Sequence, residues 1–247
     1  MAEIRRILLA LDPGMLQSRT LELAAALAAE VSAEIDALLI ESAALRTAAS
    51  LPFTRETLTS GGAARAFTPD DLALTFQMLA RQAQRRFARL VGPRGLRWTL
   101  RSVSGDPIAE IAAAAPGSDL LIVGRSLDGS LGFERMRRIA RQLGRPVVFL
   151  GDAPSRLTAV SLVFEGSDFN GGSLAIAGAL ARALSGEITI YHPQAGSQPS
   201  QAEALRSAAA ALPHGLRVVV AALAGSDPAD DRERAVLVIP EQASRRD

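Results

Sequence analysis

The 247-residue chain contains no cysteine and, because all 27 of its basic residues are arginines, no lysine. The absence of cysteine excludes disulfides, thiol nucleophiles and thiolate metal ligands. The absence of lysine excludes a Walker-type phosphate lysine, a Schiff base and the lysine of a kinase site. The two histidines, His192 and His214, lie among turn residues without the neighbours of a metal site or a Ser/His/Asp triad. We therefore expect no enzymatic activity and no bound metal.

Excess charge and long apolar runs are lacking as well. The formal net charge of +1 gives no reason to expect nucleic-acid binding. The first apolar run, Ile7–Leu11, is too short for a signal sequence, and no run approaches the length of a membrane span. With 48% hydrophobic and 21% charged residues, the composition is that of a globular protein with a sizeable core. We expect a cytoplasmic protein that binds neither nucleic acid nor membranes.

The most informative stretch is the apolar run Asp119–Gly124, which leads into a loop containing Gly129 and Gly132. A short apolar run of this kind predicts a buried parallel strand. A helical stretch begins at Phe133. In an open α/β sheet, such a strand–loop–helix junction lies at the carboxyl edge of the strands, where ligands bind.

Apolar runs alternate with helical periods over the first 150 residues, which predicts an α/β fold with a parallel sheet. We expect strands at Ile7–Leu11, Glu34–Ile40, Leu96–Val103, Asp119–Gly124 and Pro146–Leu150, and helices at Ser18–Val31, from Thr68 to about Leu90, at Ile108–Ala115 and from Phe133. Between the second strand and the second helix we expect a loop over Glu41–Phe67. A connection of that length predicts a role of its own.

The chain also repeats itself. At an offset of 153, the segment around Asp12 matches the segment around Glu165 without a gap; at an offset of 120, Pro93–Arg97 matches Pro213–Arg217. Chance similarity among alanine-rich helices is the alternative, but an ungapped strand–turn–helix–turn–strand match favours two related units.

We therefore predict a domain over residues 1–152 and a second, degenerate and truncated copy over residues 153–247. Pro240 stands where the first copy has Gly124, and neither a glycine loop nor a last helix nor a fifth strand comes after it. We expect the second copy to lack the site of the first.

Together, the helix start Gly105-Asp106-Pro107, the strand Asp119–Gly124, its glycine loop and the strand from Pro146 resemble the universal stress protein family. The resemblance implies a doubly wound parallel α/β sheet of the adenine nucleotide α-hydrolase-like type, with strand order 3-2-1-4-5. It also implies a nucleotide pocket, often for ATP, at the carboxyl ends of strands one and four. ATP or another adenine nucleotide is therefore the expected cofactor.

The residues that match the family's pocket are Asp12, Gly124, Arg125, Gly129 and Gly132. In the family, a loop of pattern Gly-x2-Gly-x9-Gly-Ser/Thr holds the phosphates through backbone N–H groups, so no lysine is required. Here Gln142 and Leu143 stand where the last pair of the pattern should be, and the register that starts at Gly124 is broken as well. Asp12 and the glycines then have a second interpretation, in which they only shape turns. Arg125 belongs to an arginine cluster that is either a solvated face or an anion site.

The resemblance implies a non-catalytic stress or signalling factor that binds one adenine nucleotide in its first half. The alternatives are a nucleotide-independent module that docks on a protein partner, and a nucleotide-processing enzyme, for which no base or nucleophile is placed. In the family, fifth strands commonly pair across a two-fold axis. The apolar edge of Pro146–Leu150 has three candidate covers: the second half, another copy or a different protein. We expect self-pairing into a homodimer.

Overall fold

The structure is a computed structural model that describes residues 4–13, 16, 20–51, 55–56, 65–66, 68–124, 133–150, 159–164, 171–184, 187–192, 218–222 and 234–239. In these ranges the strands are β1 Arg6–Leu11, β2 Glu34–Ser42, β3 Arg55–Glu56, β4 Arg65–Ala66, β5 Trp98–Gly105, β6 Leu120–Gly124, β7 Val147–Leu150, β8 Ala159–Phe164, β9 Glu187–His192, β10 Val218–Ala222 and β11 Arg234–Ile239. The helices are α1 Thr20–Val31, α2 Ala43–Ala49, α3 Pro69–Val91, α4 Pro107–Ala114, α5 Phe133–Leu143 and α6 Gly171–Leu184. The five strands and four helices predicted for the first half all begin within two residues of their predicted starts.

Nine strands form one sheet in the order β10-β9-β8-β11-β7-β6-β1-β2-β5. Its first-half part, β5-β2-β1-β6-β7, is parallel throughout. Numbered by occurrence in the first half, this order is 3-2-1-4-5. The predicted doubly wound α/β fold and the adjacency of strands one and four are therefore confirmed.

The strand β1 is apolar from Ile7 to Leu11 because both faces of the sheet are covered. Ile7, Leu9 and Leu11 belong to a core that includes residues of α1, α3 and α6. Leu8 and Ala10 belong to a second core, on the opposite face, that includes residues of α4 and α5. Burial on both faces explains why the run is apolar without interruption. In a sheet with one solvated face, apolar and polar residues would alternate along the strand.

Two helix starts were readable from their capping residues. Thr68 caps α3 and forms a reciprocal capping box with Asp71, with Pro69 as the first helical residue. Asp106 caps α4 by accepting a hydrogen bond of 3.0 Å from the N–H of Ala109. The cap of α4 comes directly after β5, so this helix returns the chain from the end of one strand toward β6.

The segment Glu41–Phe67 differs from the loop that we expected, in the parts that the structure describes. β2 continues to Ser42, Ala43–Ala49 forms α2, and β3 pairs with β4 in antiparallel fashion. Residues 52–54, 57–64 and 67 lie outside the described residues. The helix escaped prediction because seven residues make two turns, too few for their period to be distinguished from that of a buried strand.

The second half continues the same sheet. Its strands β10-β9-β8-β11 are parallel to one another, and β11 runs antiparallel to β7. By occurrence this order is 3-2-1-4. β8 begins 153 residues after β1, β9 begins 153 after β2, and β10 begins 120 after β5. These are the offsets at which the sequence matches itself.

Both edges of β7 are occupied, since Val148 pairs with Ile122 of β6 on one side and with Leu237 of β11 on the other. The expected self-pairing of the Pro146–Leu150 strand with a second copy is therefore wrong, and the second half of the same chain covers this edge. A strand tethered to the edge by its own chain has a far higher effective concentration than a second molecule has.

No helix in the described part of the chain is both long enough and apolar enough to cross a membrane.

Candidate functional site

Asp12 and Gly124 lie at the ends of neighbouring parallel strands. Ala10 of β1 pairs with Val123 of β6, so Asp12, the residue after β1, lies beside the end of β6 at Gly124. On the far sides of this pair lie β2 and β7, so the sheet order changes direction between β1 and β6. The chain leaves two such strands toward opposite faces, which opens a crevice at their carboxyl ends. The structure thus brings these two predicted site residues together.

The environments of the two residues differ. Gly124 is buried, whereas Asp12 is half-buried and already has a polar or electrostatic contact. The other predicted site residues, Arg125, Gly129 and Gly132, lie outside the described residues. A buried glycine and a half-buried carboxylate are therefore neighbours at this point of the edge.

The helix α5 comes after the glycine-containing segment. It begins at Phe133, the residue after Gly132 in the sequence. Gln142 and Leu143, which replace the last pair of the family's glycine pattern, are the last two residues of this helix. The N–H groups of residues there bond within the helix, so they are not available to phosphates. The last pair of the pattern therefore cannot offer its backbone N–H groups to a phosphate.

A buried carboxylate that the sequence analysis did not single out lies at the same edge, on β2. Glu41 is 3% exposed and pairs in register with Ser104 of β5. Its Oε2 accepts hydrogen bonds of 2.9 Å from Arg46 Nη2 and 2.9 Å from Ser104 Oγ. The guanidinium of Arg46 also donates to Ser104 Oγ. This cluster ties α2 to the ends of two strands.

The second oxygen of this carboxylate, Glu41 Oε1, is buried and has no hydrogen-bond partner among the described residues. An unpaired buried carboxylate oxygen is costly, and native structures rarely keep one without a reason. It can accept a hydrogen bond from a donor that reaches the edge. We therefore count Glu41 with the candidate site, two strands away from Gly124.

A signal for Glu41 exists in the sequence. It comes directly after the apolar run Leu38-Leu39-Ile40, much as Asp12 comes after the apolar run of β1. Acidic residues after two buried neighbouring strands meet at one edge when the strands are parallel. The sequence analysis missed this position of Glu41 because it predicted a loop from Glu41 onward and so ended β2 at Ile40.

At the opposite, amino edge of the sheet, an ion pair and hydrogen bonds join neighbouring strands. Arg6 Nε lies 2.7 Å from Glu34 Oε1. The hydrogen bond to Glu34 and the charges of Glu34 and Asp36 raise the pKa of Arg6. Asp119 Oδ2 accepts from the backbone N–H groups of Arg5 at 2.9 Å and Arg6 at 3.0 Å. These groups serve the joining of strands at the amino edge.

Within the described ranges, no group of three or more His, Cys, Asp or Glu residues is arranged to hold a metal ion.

No protein-family model matches the chain, and no curated protein matches it in sequence. Solved structures do match it. A universal stress protein from Archaeoglobus fulgidus DSM 4304 is 15% identical, with 96% of each chain covered and a TM-score of 0.53. The cytoplasmic domain of a prokaryotic cation chloride cotransporter is 13% identical, with 95% of each chain covered and a TM-score of 0.48. A universal stress protein in complex with cAMP is 18% identical over 62% of this chain and 100% of that one, with a TM-score of 0.36.

The similarity to the archaeal structure extends over nearly the whole of both chains. At 15% identity it shows a shared fold. The chain therefore has the fold of the universal stress proteins, with the helices interleaved between parallel strands.

Proposed function

We propose that the first half of the chain binds one adenine nucleotide, with ATP as the first candidate, and that the protein is a non-catalytic stress or signalling factor. The observation that carries the proposal is the position of Asp12 beside Gly124, where the order of a 3-2-1-4-5 sheet changes direction. Open α/β sheets bind their ligands at this point. The fold, which is that of the universal stress proteins, agrees with this function.

The parts of the edge around Asp12 and Gly124 each have a role in the proposal. The Asp12 carboxylate accepts hydrogen bonds from the ribose hydroxyls. The segment from Gly124 to Gly132 offers backbone N–H groups to the phosphates, and the N-terminus of α5 adds the positive end of its dipole. Arg125 supplies a guanidinium in a chain that has no lysine. Gly129 lies in the same segment and lets its backbone approach the phosphates closely.

We further propose that the second half is a degenerate copy without a site of its own. The matching strand order and the sequence offsets of its strands support a common origin with the first half. Pro240 comes after β11 at the position that Gly124 takes in the first half. Proline has no N–H to offer to a phosphate and restricts the backbone that would approach it. The proposed role of this half is to complete the sheet beside β7.

Calorimetric titration with ATP, ADP and cyclic nucleotides tests the proposal. Wild type should bind, and Asp12→Ala and Gly132→Val should each weaken binding at least about tenfold, which is about 1.4 kcal/mol. Valine at position 132 would obstruct the close approach of the backbone. The matched control is Asp36→Asn on β2, whose side chain accepts from Thr99 Oγ1 at 2.7 Å, and it should bind as wild type does. Equal affinity in all four proteins would refute the site.

A second candidate function is a nucleotide-independent interaction module. The position of Gln142 and Leu143 inside α5 favours it, because half of the phosphate pattern is then helical. The absence of binding at millimolar ATP, together with a cooperative unfolding transition, would select this function over the first.

A further inference from the structure

The helix α3 has an outer face whose chemistry changes in order along its length. Ala83, Phe87 and Val91 are its buried residues. The opposite face carries residues spaced by three or four positions, which places them in one line. We call this line the outer stripe of α3: Asp70, Asp71, Leu74, Met78, Arg81, Arg85 and Arg89. From the N-terminus to the C-terminus it is acidic, then apolar, then basic.

The apolar middle of the stripe is open to solvent. Leu74 is 60% exposed and Met78 is 58% exposed. In the part of the chain that the structure describes, they are the two most exposed large hydrophobic residues. A shallow depression of about 300 Å³ lies beside them, lined by Met78, Gln82, Arg85 and Arg89. In helix packing, side chains of one helix insert into depressions on the surface of the other. The exposed side chains and the depression of α3 could therefore take both parts in a contact with a second helix.

The basic end of the stripe lacks acidic neighbours in the sequence. Residues 72–105 contain seven arginines and neither aspartate nor glutamate. Arg85 Nε and Arg89 Nε donate to helix carbonyls of Arg81 and Arg85. No ion pair involves Arg81, Arg85 or Arg89 among the described residues. Arg86, on the flank of the same helix, does have one, at 3.7 Å from Glu22.

We propose that the outer stripe of α3 is a self-complementary interface, through which two copies of the chain pair with their α3 helices antiparallel about a two-fold axis at Met78. In this arrangement residue i faces residue 156 − i of the second copy. Met78 then faces its own copy, Leu74 faces Gln82, and Asp71 faces Arg85. The acidic end of each helix meets the basic end of the other, so each favourable pair occurs twice.

The helix cap is compatible with this pairing. Asp71 Oδ2 accepts from Thr68 N at 3.0 Å and from Thr68 Oγ1 at 2.7 Å. An ionised carboxylate has about four acceptor sites, so the cap bonds and the further polar or electrostatic contact of Asp71 leave room for a bond from Arg85 of a second copy. A guanidinium is well suited to such a shared carboxylate because its donors form a planar fork.

A second copy fits the stripe better than other occupants do. A membrane-surface helix needs a broad apolar face, and that face of α3 is buried in the core. A nucleic acid would meet the acidic end and the apolar middle without compensation. A different protein would need a surface on which basic, apolar and acidic residues follow one another in this order. A second copy of α3 that runs antiparallel to the first has such a surface by symmetry. One helix pair buries less than about 1,200 Å², so the dimer should be weak and reversible.

The absence of cysteine makes a direct test simple, because a single introduced thiol can form only an intermolecular disulfide. Met78→Cys under mild copper–phenanthroline oxidation should give a cross-linked dimer at tens of micromolar, since residues at the axis come within the Cα separation of roughly 4.4–6.8 Å that a disulfide needs. The matched control is Arg138→Cys, an exposed position on α5. It should cross-link several-fold less.

Charge reversal tests the order of the stripe. Arg85→Glu/Arg89→Glu and, separately, Asp70→Arg should each lower the weight-average mass toward that of the monomer in sedimentation equilibrium. Asp70 faces position 86, next to Arg85, and is chosen in place of Asp71 because Asp71 closes the cap. Mixing the two variants should restore the dimer, because each reversed end then meets an end of opposite charge. Arg101→Glu, at an exposed position of β5, should sediment as wild type does.

Two outcomes would overturn the proposal. One is a wild type that stays monomeric at about 200 μM while Met78→Cys cross-links no faster than Arg138→Cys. The other is binding of wild type, but not of Arg85→Glu/Arg89→Glu, to vesicles containing phosphatidylserine, without self-association in solution. That result would assign the stripe to an anionic surface.

Discussion

The two halves of the chain build their part of the sheet in the same order and differ in the segment after the fourth strand. In the first half, β6 ends at Gly124 and leads into a glycine-containing segment and α5. In the second half, β11 leads directly into Pro240. The order of the strands depends on apolar residues that both halves keep. The proposed site depends on a few residues at the carboxyl edge, and those positions can change without loss of the sheet.

The halves also meet at an edge strand, β7, that only the first half has. β7 is the fifth strand of the first half, and its free side pairs with β11 rather than with another fifth strand. The apolar cores extend across this junction, since Val148 and Leu237 belong to the same cluster as Leu9. The chain thus encloses within one molecule an edge that would otherwise be open.

The largest effect on stability is expected from a substitution at the junction of β7 and β11. Val148→Arg places a charge on a fully buried strand between β6 and β11, so it should lower the free energy of unfolding by about 4 kcal/mol. The control Ser102→Arg, at an exposed position of the edge strand β5, should cost less than about 1 kcal/mol. Urea unfolding followed by circular dichroism measures both. Equal costs would contradict the burial of Val148 between β6 and β11.

A matched pair of cavity mutations sharpens the comparison. Leu9 on β1 and Leu162 on β8 are 153 positions apart, occupy equivalent places in the two halves and are both fully buried. Leu9→Ala and Leu162→Ala should each destabilise the protein by about 3 kcal/mol. Because one core joins the halves, each should shift a single unfolding transition. Two separate transitions, each sensitive to only one of the variants, would contradict a shared core.

The smallest effect is expected where the halves meet through exposed side chains. Arg182 Nε of α6 lies 2.8 Å from Glu30 Oε1 of α1, with side chains 40% and 43% exposed. A double-mutant cycle with Glu30→Ala and Arg182→Ala should give a coupling below about 1 kcal/mol, because water and salt screen exposed pairs. The coupling should shrink in 1 M NaCl. A coupling that is large and independent of salt would show that this pair, rather than the core, holds the halves together.

Much of the fold could be predicted because its signals are local. The apolar run of β1, the cap at Thr68 and the change of period between strands and helices each fix an element without reference to the rest of the chain. The repeat then pointed to an equivalent order of strands in the second half. The sequence therefore predicted the positions of long elements with a clear hydrophobic period, but not that of the seven-residue helix α2.

Non-local features could not be predicted in the same way. The pairing of β7 with β11 joins residues about 90 positions apart, and the sequence left three covers for that edge open. The burial of Glu41 depends on Arg46 and Ser104, which come from different elements. Asp12 and Gly124 were predicted to be neighbours only because the family resemblance supplied the order of strands.

The most direct test of the proposed asymmetry between the halves is the number of ATP molecules bound per chain. Asp12→Ala and Glu165→Ala form a matched pair, since the two positions are 153 residues apart. In calorimetry, wild type and Glu165→Ala should each bind one ATP per chain with the same affinity, and Asp12→Ala should lose binding. Two ATP molecules per wild-type chain, or a loss of binding in Glu165→Ala with Asp12→Ala unaffected, would contradict a single site in the first half.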